Sequence, residues 1–363
     1  MSFSPYKICT FNIQHFNTTS TKAHPIPRIK TIAEMIDKNR FDVIAIQEIV
    51  RTEVIAKLLE ALKALPSNNT CKWDGYAELS GTNGSGGECY GFIWNSNRLN
   101  PIEPAKIIQV RNNKILRPPL YIRFKPVGTK TDFEIRLLNI HIRFSNNNRE
   151  ESNNSLNKNE DLDEKDKELK NKDKKTVEAR RAEFDALIDC YKNIMNPAST
   201  KNKYAKQAYT IILGDYNLCL DDSPKLHSDT FKGNGTRDCI VINKCSMNRI
   251  SLKTTGTDKT TLRTVPEDIK EKLEQNQSIS FEDENRYPSK WSHNYDHFTY
   301  NINQLGDAEY KNGRSTHPDL GIEPRWKQVY DYRRKYSDHI PLVYSFDISK
   351  KKVEVLNIID KGE

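Results

Sequence analysis

Apolar residues recur along this chain at two spacings. Short runs rich in Ile, Val, Phe and Tyr predict strands at Tyr6–Asn12, Asp42–Ile46, Tyr90–Trp94, Tyr121–Phe124, Glu134–His141, Thr210–Gly214, Phe298–Asn301 and Leu342–Phe346. Tyr90, Phe92 and Trp94 alternate as one face of a core strand would. Apolar residues three and four apart predict helices over Pro27–Lys38 (Ile29, Ile32, Ala33, Ile36), Thr52–Ala64 (Ile55, Leu58, Leu59, Leu62) and Thr176–Met195 (Val177, Phe184, Leu187, Ile188, Tyr191). Strands and helices that alternate in this way define an α/β fold. The hairpin-like strand pairs between 90 and 142 require a sheet that is not purely parallel. No internal repeat and no Pro/Gly linker divides the chain, so residues 1–350 are expected to form one domain.

Composition changes that picture in one place. Apolar residues make up 36% of the 363 residues, low for a fully folded chain of this length. The shortfall concentrates in residues 145–175, where Asn, Lys and acids follow one another with almost no apolar side chain. Such a segment cannot bury enough surface to offset the entropy of ordering, and it reads as a charged surface insertion and a candidate partner contact. It holds eight basic and nine acidic residues, so the formal net charge of +8 belongs to the remainder of the chain. A basic surface favours a polyanionic partner such as nucleic acid. The longest apolar stretches, 42–46 and 209–213, fall far short of the roughly 18 residues of a membrane span, which predicts a soluble protein with no span. The seven cysteines include no CxxC pair and the N-terminus lacks a secretory pattern, so a reduced, cytoplasmic location is expected. Residues 351–363 read as an appended extension.

The chemistry lies where apolar strands finish. One strand ends at Asn12, another at Glu48, a third at His141 and a fourth at Asp215 and Asn217, while Asp338 and His339 precede the last strand. Taken singly, each has an ordinary structural reading: a cap, a β-turn for GDYN, a half-buried histidine, or an N-cap for SDH. A buried polar group without a partner costs about 1–3 kcal/mol, so five such interruptions point to convergence on one site. Asn12, Glu48, Asp215, Asn217 and Asp338 are the oxygen donors a hard divalent cation selects. His141 and His339 supply proton transfer, with Glu88 and Asp296 as the carboxylates that would orient them. Neither GxSxG nor GxxxxGK[ST] is present, which leaves phosphoester hydrolysis as the better reading than acyl transfer. Arg51, Arg117 and Arg143 are candidate phosphate contacts, and Arg180 and Arg181 read as decoration of the third helix.

In this order, CTFNIQHF, IAIQEI, LLNIHIRF, ILGDYNL, NYDHFTY and KYSDHIPLVYSF resemble the motifs of the deoxyribonuclease I-like superfamily of endonucleases, exonucleases and phosphatases. The resemblance runs from Tyr6 to about Ile348 apart from the insertion. It implies a four-layer sandwich of two mixed β-sheets packed face to face, with helices outside. It further implies metal binding by Asn12, Glu48 and Asp338, with Mg²⁺ as the metal and Mn²⁺ or Ca²⁺ as substitutes. Asp215 and Asn217 match the residues that orient water and phosphate. His339 matches the histidine that acts as general base or phosphate contact, with Asp296 as its orienting carboxylate, and His141, paired with Glu88, matches the second histidine. GECYGFIW and LRPPLYIRF resemble the deoxyribonuclease I subgroup in particular, which puts Arg117 at a phosphate and makes a DNA endonuclease the expected activity. A tyrosine of that subgroup falls at the glycine-rich Gly84–Gly87, and its groove-reading arginine aligns with Arg51 only after a one-residue shift. The alternatives are a phosphatase or phosphodiesterase acting on RNA, a phosphorylated lipid or a small metabolite, and a non-catalytic binding module.

Overall fold

A computed structural model of the chain describes residues 5–19, 27–66, 71–80, 87–109, 115–128, 134–142, 179–191, 194, 208–218, 231–232, 238–242, 249–255, 260–287, 289–290, 295–301, 310–311 and 324–346. The proposed insertion at 145–175, the extension at 351–363 and Arg143 lie outside these residues.

Two mixed β-sheets form the body. The first sheet has the order β14 (Tyr310–Lys311), β15 (Leu342–Phe346), β1 (Tyr6–Phe16), β2 (Val43–Ile49), β4 (Glu88–Asn95) and β3 (Trp73–Ser80). The second has nine strands, ordered β10 (Phe231–Lys232), β11 (Asp238–Ile242), β12 (Arg249–Thr255), β13 (Asp296–Asn301), β9 (Ala208–Asp215), β8 (Glu134–His141), β7 (Leu120–Pro126) and β5 (Leu99–Pro101), with β6 (Lys106–Ile107) beside β7. The β1–β2 and β8–β9 pairs are parallel and the other pairs antiparallel. The middle of the chain is divided between the sheets: β4 pairs with β2 and β3, whereas β7 and β8 form their hairpin in the other sheet.

Side-chain alternation assigns each face. From β1, Tyr6 and Ile8 enter the core between the sheets, together with Tyr90, Phe92 and Trp94 of β4 and Leu137 and Leu213 of the other sheet. Cys9, Phe11 and Ile13 point the opposite way, onto α1 (Ile29–Asn39) and α2 (Glu53–Lys63). Those helices bury Ile32, Ala33 and Ile36, and Ile55, Leu58 and Leu62, as their spacing predicts, together with Met35 and Val54, while Ile29 and Leu59 are only partly buried. On the far side, a helix over 179–191 (α3) lays Phe184, Leu187, Ile188 and Tyr191 against Leu138, Ile140 and Ile212. The layers are thus helix, sheet, sheet, helix. A satellite cluster formed by α4 (Glu267–Glu274), α5 (Phe281–Arg286) and α6 (Trp326–Lys335) carries its own small core around Trp326, Val329 and Ile269. These three helices were not among the predicted ones, because each is short and polar, with few apolar positions to mark a period. Among the described residues, no helix is long and apolar enough to cross a membrane.

Candidate active site

Strand ends from both sheets meet at one edge of the sandwich, and bulges aim the side chains there. The β1–β2 register shifts between Asn12 and Phe16, and the β2–β4 register shifts between Ile46 and Ile49. Within the shifted stretches, His15 (φ 50°) and Glu48 (φ 58°) hold left-handed backbone, as does Asn217 (φ 47°) after β9. Such residues each cost about 1–3 kcal/mol and persist only where the surroundings over-determine them. Behind the bulges, Asn139 of β8 reaches across to the first sheet. Its Nδ2 donates to the Ile46 and Gly91 carbonyls at 3.0 Å each, and its Oδ1 accepts from Gln47 at 2.6 Å. Gly214 (φ 148°) permits the turn into Asp215, because a Cβ there would lie 1.9 Å from the Ile140 carbonyl oxygen.

Two imidazoles face one carboxylate. The Nδ1 of His141 lies 2.7 Å from Glu88, and the Nδ1 of His339 lies 2.7 Å from Asp296. Their Nε2 atoms lie 3.6 and 3.7 Å from Oδ2 of Asp215. The pairs are built in exchange: His141 ends a strand of the second sheet and Glu88 begins one of the first, whereas His339 leads into the first sheet and Asp296 opens a strand of the second. The same Asp215 oxygen accepts from Nδ2 of Asn12 at 2.9 Å, and that amide also donates to Glu48 at 2.9 Å. Asn217 is held by its backbone N–H to Asp215 (2.8 Å) and by its amide to the Ile142 carbonyl (2.8 Å).

The two pairs differ electrostatically. Burial works to raise the Glu88 carboxyl, yet the His141 imidazole and Arg117, which donates to Glu88 at 2.8 Å, hold it down to about 2. Burial opposes charge on His141, but Glu88 keeps its pKa above the usual value. His339 is raised further: against burial it has Asp296 and Asp215, whereas His141, which Glu88 and Asp215 likewise face, also feels the opposing charge of Arg117. Burial pushes Asp215 itself up, against the pull of His339 and His141.

The donor set suits a hard divalent cation. Glu48, His141 and Asp215 offer ligand atoms within 4.8 Å of one another. Asn12 Oδ1 beside them is a buried oxygen without a hydrogen-bond partner, as an amide ligand would be.

Of the residues singled out in the sequence, Asn12, Glu48, Glu88, His141, Asp215, Asn217, Asp296 and His339 come together here. Asp338 stands to one side, where its Oδ2 accepts from Gln14 at 2.9 Å and faces Arg333 at 3.7 Å. Arg117 serves as the counter-ion of Glu88. Arg51 is exposed and faces Glu53 at 3.7 Å. The reading of Arg180 as helix decoration is corrected: its Nη1 donates to the Asn217 carbonyl at 2.8 Å, so α3 braces the site. Ser337 is no N-cap, since the segment after α6 is not helical and Ser337 Oγ donates to the Asn12 carbonyl at 2.8 Å. Sequence reasoning missed Arg28. This buried side chain donates to the carbonyls of Gln14 (2.8 Å), His15 (2.9 Å) and Tyr336 (2.8 Å), tying the end of β1 to the segment that carries His339. Burial lowers its pKa to about 10. Tyr90 was read as core alone, yet its hydroxyl also accepts from the His141 N–H at 2.8 Å.

The sequence matches no protein-family model, and no curated protein matches it. Among solved structures, the chain is similar to a functionally unknown conserved protein from Enterococcus faecalis, at 14% identity and a TM-score of 0.49 over 94% of this chain and 99% of that one. It is also similar to an endonuclease/exonuclease/phosphatase from Bacteroides vulgatus, at 13% identity and a TM-score of 0.48 over 95% and 99% of the two chains. A third is truncated TDP2 from Caenorhabditis elegans, at 15% identity and a TM-score of 0.46 over 94% and 98%. Two mixed sheets packed face to face with helices outside are evident from the strand order together with the buried clusters.

Proposed function

We propose that this protein is a divalent-metal-dependent phosphodiesterase of the deoxyribonuclease I-like superfamily, acting on DNA as an endonuclease. One observation carries the reading: two carboxylate-backed imidazoles, 3.6 and 3.7 Å from the same Asp215 oxygen, beside the oxygens of Asn12 and Glu48. Phosphodiester hydrolysis needs a base for the attacking water, an acid for the leaving oxygen and positive charge at the non-bridging oxygens. The two histidines offer the first two, and a cation held by the oxygen donors would supply the third. His141, restrained by Arg117, suits the accepting role: its Nε2 takes a proton as the water oxygen bonds to phosphorus. His339, whose proton Asp296 and Asp215 hold more firmly, suits the donating role: its Nε2 gives a proton to the ester oxygen as the P–O bond breaks. Glu88 and Asp296 hold the Nδ1 protons and so fix both rings. Asn12, Glu48 and Asp215 would hold Mg²⁺, with Mn²⁺ or Ca²⁺ as substitutes. A bound cation there supplies charge neutralisation of the phosphoryl oxygens. The Glu88–His141 pairing supports the deoxyribonuclease I subgroup, and the net charge of +8 supports an extended polyanion as substrate.

The test is a substrate panel of supercoiled plasmid, RNA, inositol phosphates and sphingomyelin, each with Mg²⁺ and again with EDTA. Plasmid nicking that vanishes with EDTA and in His339→Ala is the expected result. Turnover of a lipid or sugar phosphate with intact plasmid would replace DNA as the substrate, and turnover of none would remove the enzymatic reading.

A further inference from the structure

His15 sits beside Glu48 at the edge of this site, on left-handed backbone. It follows Asn12 by three residues, at the register shift of β1, with a φ of 50°. Both of its backbone polar groups are pinned. Its N–H donates to Oε2 of Glu48 at 3.1 Å, and its carbonyl accepts from Nη2 of the buried Arg28 at 2.9 Å. Arg28 in turn grips the Gln14 and Tyr336 carbonyls, so the turn cannot relax without loosening the segment that leads to His339. The imidazole itself is not used as packing: its side chain is 73% exposed.

Glu48 separates an inner from an outer side. Its Oε1 bonds Asn12 and faces Nε2 of His141 at 4.0 Å, while its Oε2 faces Nδ1 of His15, also at 4.0 Å. The His15 ring therefore lies directly outside the place where the reacting phosphate would sit. Left-handed backbone is uncommon outside glycine, and His, Asn and Asp are the other residues that hold it most often. Here the backbone is fixed by Glu48 and Arg28 while the imidazole faces solvent, which leaves the ring placed for contact with something outside the fold.

We propose that His15 is a substrate-binding residue that donates a ring N–H to a phosphoryl oxygen adjacent to the scissile one, so that the site selects substrates with consecutive phosphates. This rests on the phosphodiesterase reading and deepens it. The contact distinguishes a polynucleotide from an isolated phosphodiester, because only the former offers a neighbouring phosphate along the same strand. An imidazole can make this bond in either protonation state. Arg28 is the positioning residue behind it.

The experiment pairs His15→Gly, which relieves the backbone while removing the ring, with His15→Asn, which tolerates the backbone and restores an N–H donor. Binding of a fluorescent oligonucleotide is measured in Ca²⁺, and turnover of bis(p-nitrophenyl) phosphate in Mg²⁺, alongside the melting temperature. His15→Gly is expected to be at least as stable as the wild type and to bind the oligonucleotide about 10-fold more weakly. Its loss on bis(p-nitrophenyl) phosphate is expected to be at least fivefold smaller, and His15→Asn is expected to recover part of the affinity. Unchanged oligonucleotide affinity in His15→Gly, equal losses on both substrates, or no oligonucleotide binding by the wild type would each overturn the inference. A wild type that binds the oligonucleotide and hydrolyses nothing, with weakened binding in His15→Gly, would instead remove the phosphodiesterase reading and keep the contact.

Discussion

His141 with Glu88 and His339 with Asp296 make the same 2.7 Å bond and face the same oxygen, yet they live in different surroundings. The Glu88 side chain is 23% exposed and shares its charge with Arg117, so the first pair is a compensated triad at the rim. The Asp296 side chain is fully buried and its second oxygen has no hydrogen-bond partner; Asp215 faces both histidines, at 3.6 and 3.7 Å, so what sets the pairs apart is Arg117 beside Glu88 and the full burial of Asp296. Identical local geometry therefore yields unequal proton affinities, because the next shell of charge differs. The rim pair is suited to exchanging its proton, and the buried pair to holding one.

The sharpest way to break this comparison is to neutralise each carboxylate. Asp296→Asn is expected to lower kcat/KM by about 1,000-fold and Glu88→Gln by about 10-fold, within the range for disturbing acid–base groups. Equal losses would mean that the two surroundings do not matter. Removing either imidazole should cost at least about 100-fold, measured on the substrate that the panel identifies. Next comes the metal. At 100 times its Kd, a cation bound to the native state adds about 2.7 kcal/mol of stability, so Mg²⁺ should raise the melting temperature by several degrees and Glu48→Gln should abolish the rise.

The pH dependence of stability in EDTA should have opposite signs in the two halves. Glu88 is held near 2 in the folded chain, below its ordinary 4.5. Its contribution, on the order of 2 kcal/mol after screening, is present above that ordinary value and lost as pH falls toward 2. Urea titration of Glu88→Gln against wild type should show the gap closing in acid. His339 is raised, so its contribution is complete below its ordinary value of 6.5 and lost as pH rises through the folded value. The gap between wild type and His339→Gln should therefore close in alkali. The smallest expected effect is that of Arg180→Ala, which removes one hydrogen bond to the Asn217 carbonyl. About 1 kcal/mol of stability and a few-fold loss in activity would place it outside both pairs, as a brace.

Much of the sandwich was legible because its strands are buried on both faces and so read as continuous apolar runs. Glu134–His141 and Leu342–Phe346 have the bounds the runs predict, and β1 and β2 extend a few residues further. The extensions carry the bulges, and bulges have no compositional mark; that is why His15 drew no notice. The polar residues at strand ends were legible as a group, since Asn12, Glu48, His141 and Asp215 interrupt apolar runs where solvent alone would not require such uniformity. Arg28 was invisible for the opposite reason. A basic residue just before a helix looks like surface until the fold shows four backbone carbonyls converging on it.

The exchanged placement of the pairs makes the site a gauge of sheet registry. Each 2.7 Å bond joins one sheet to the other, with donor and acceptor reversed between the two. A slide of one sheet across its neighbour by an ångström would disturb both bonds, although every strand ladder stayed intact. Turnover would then fail while circular dichroism still looked native, so catalysis reports on a mechanical alignment that secondary structure does not record.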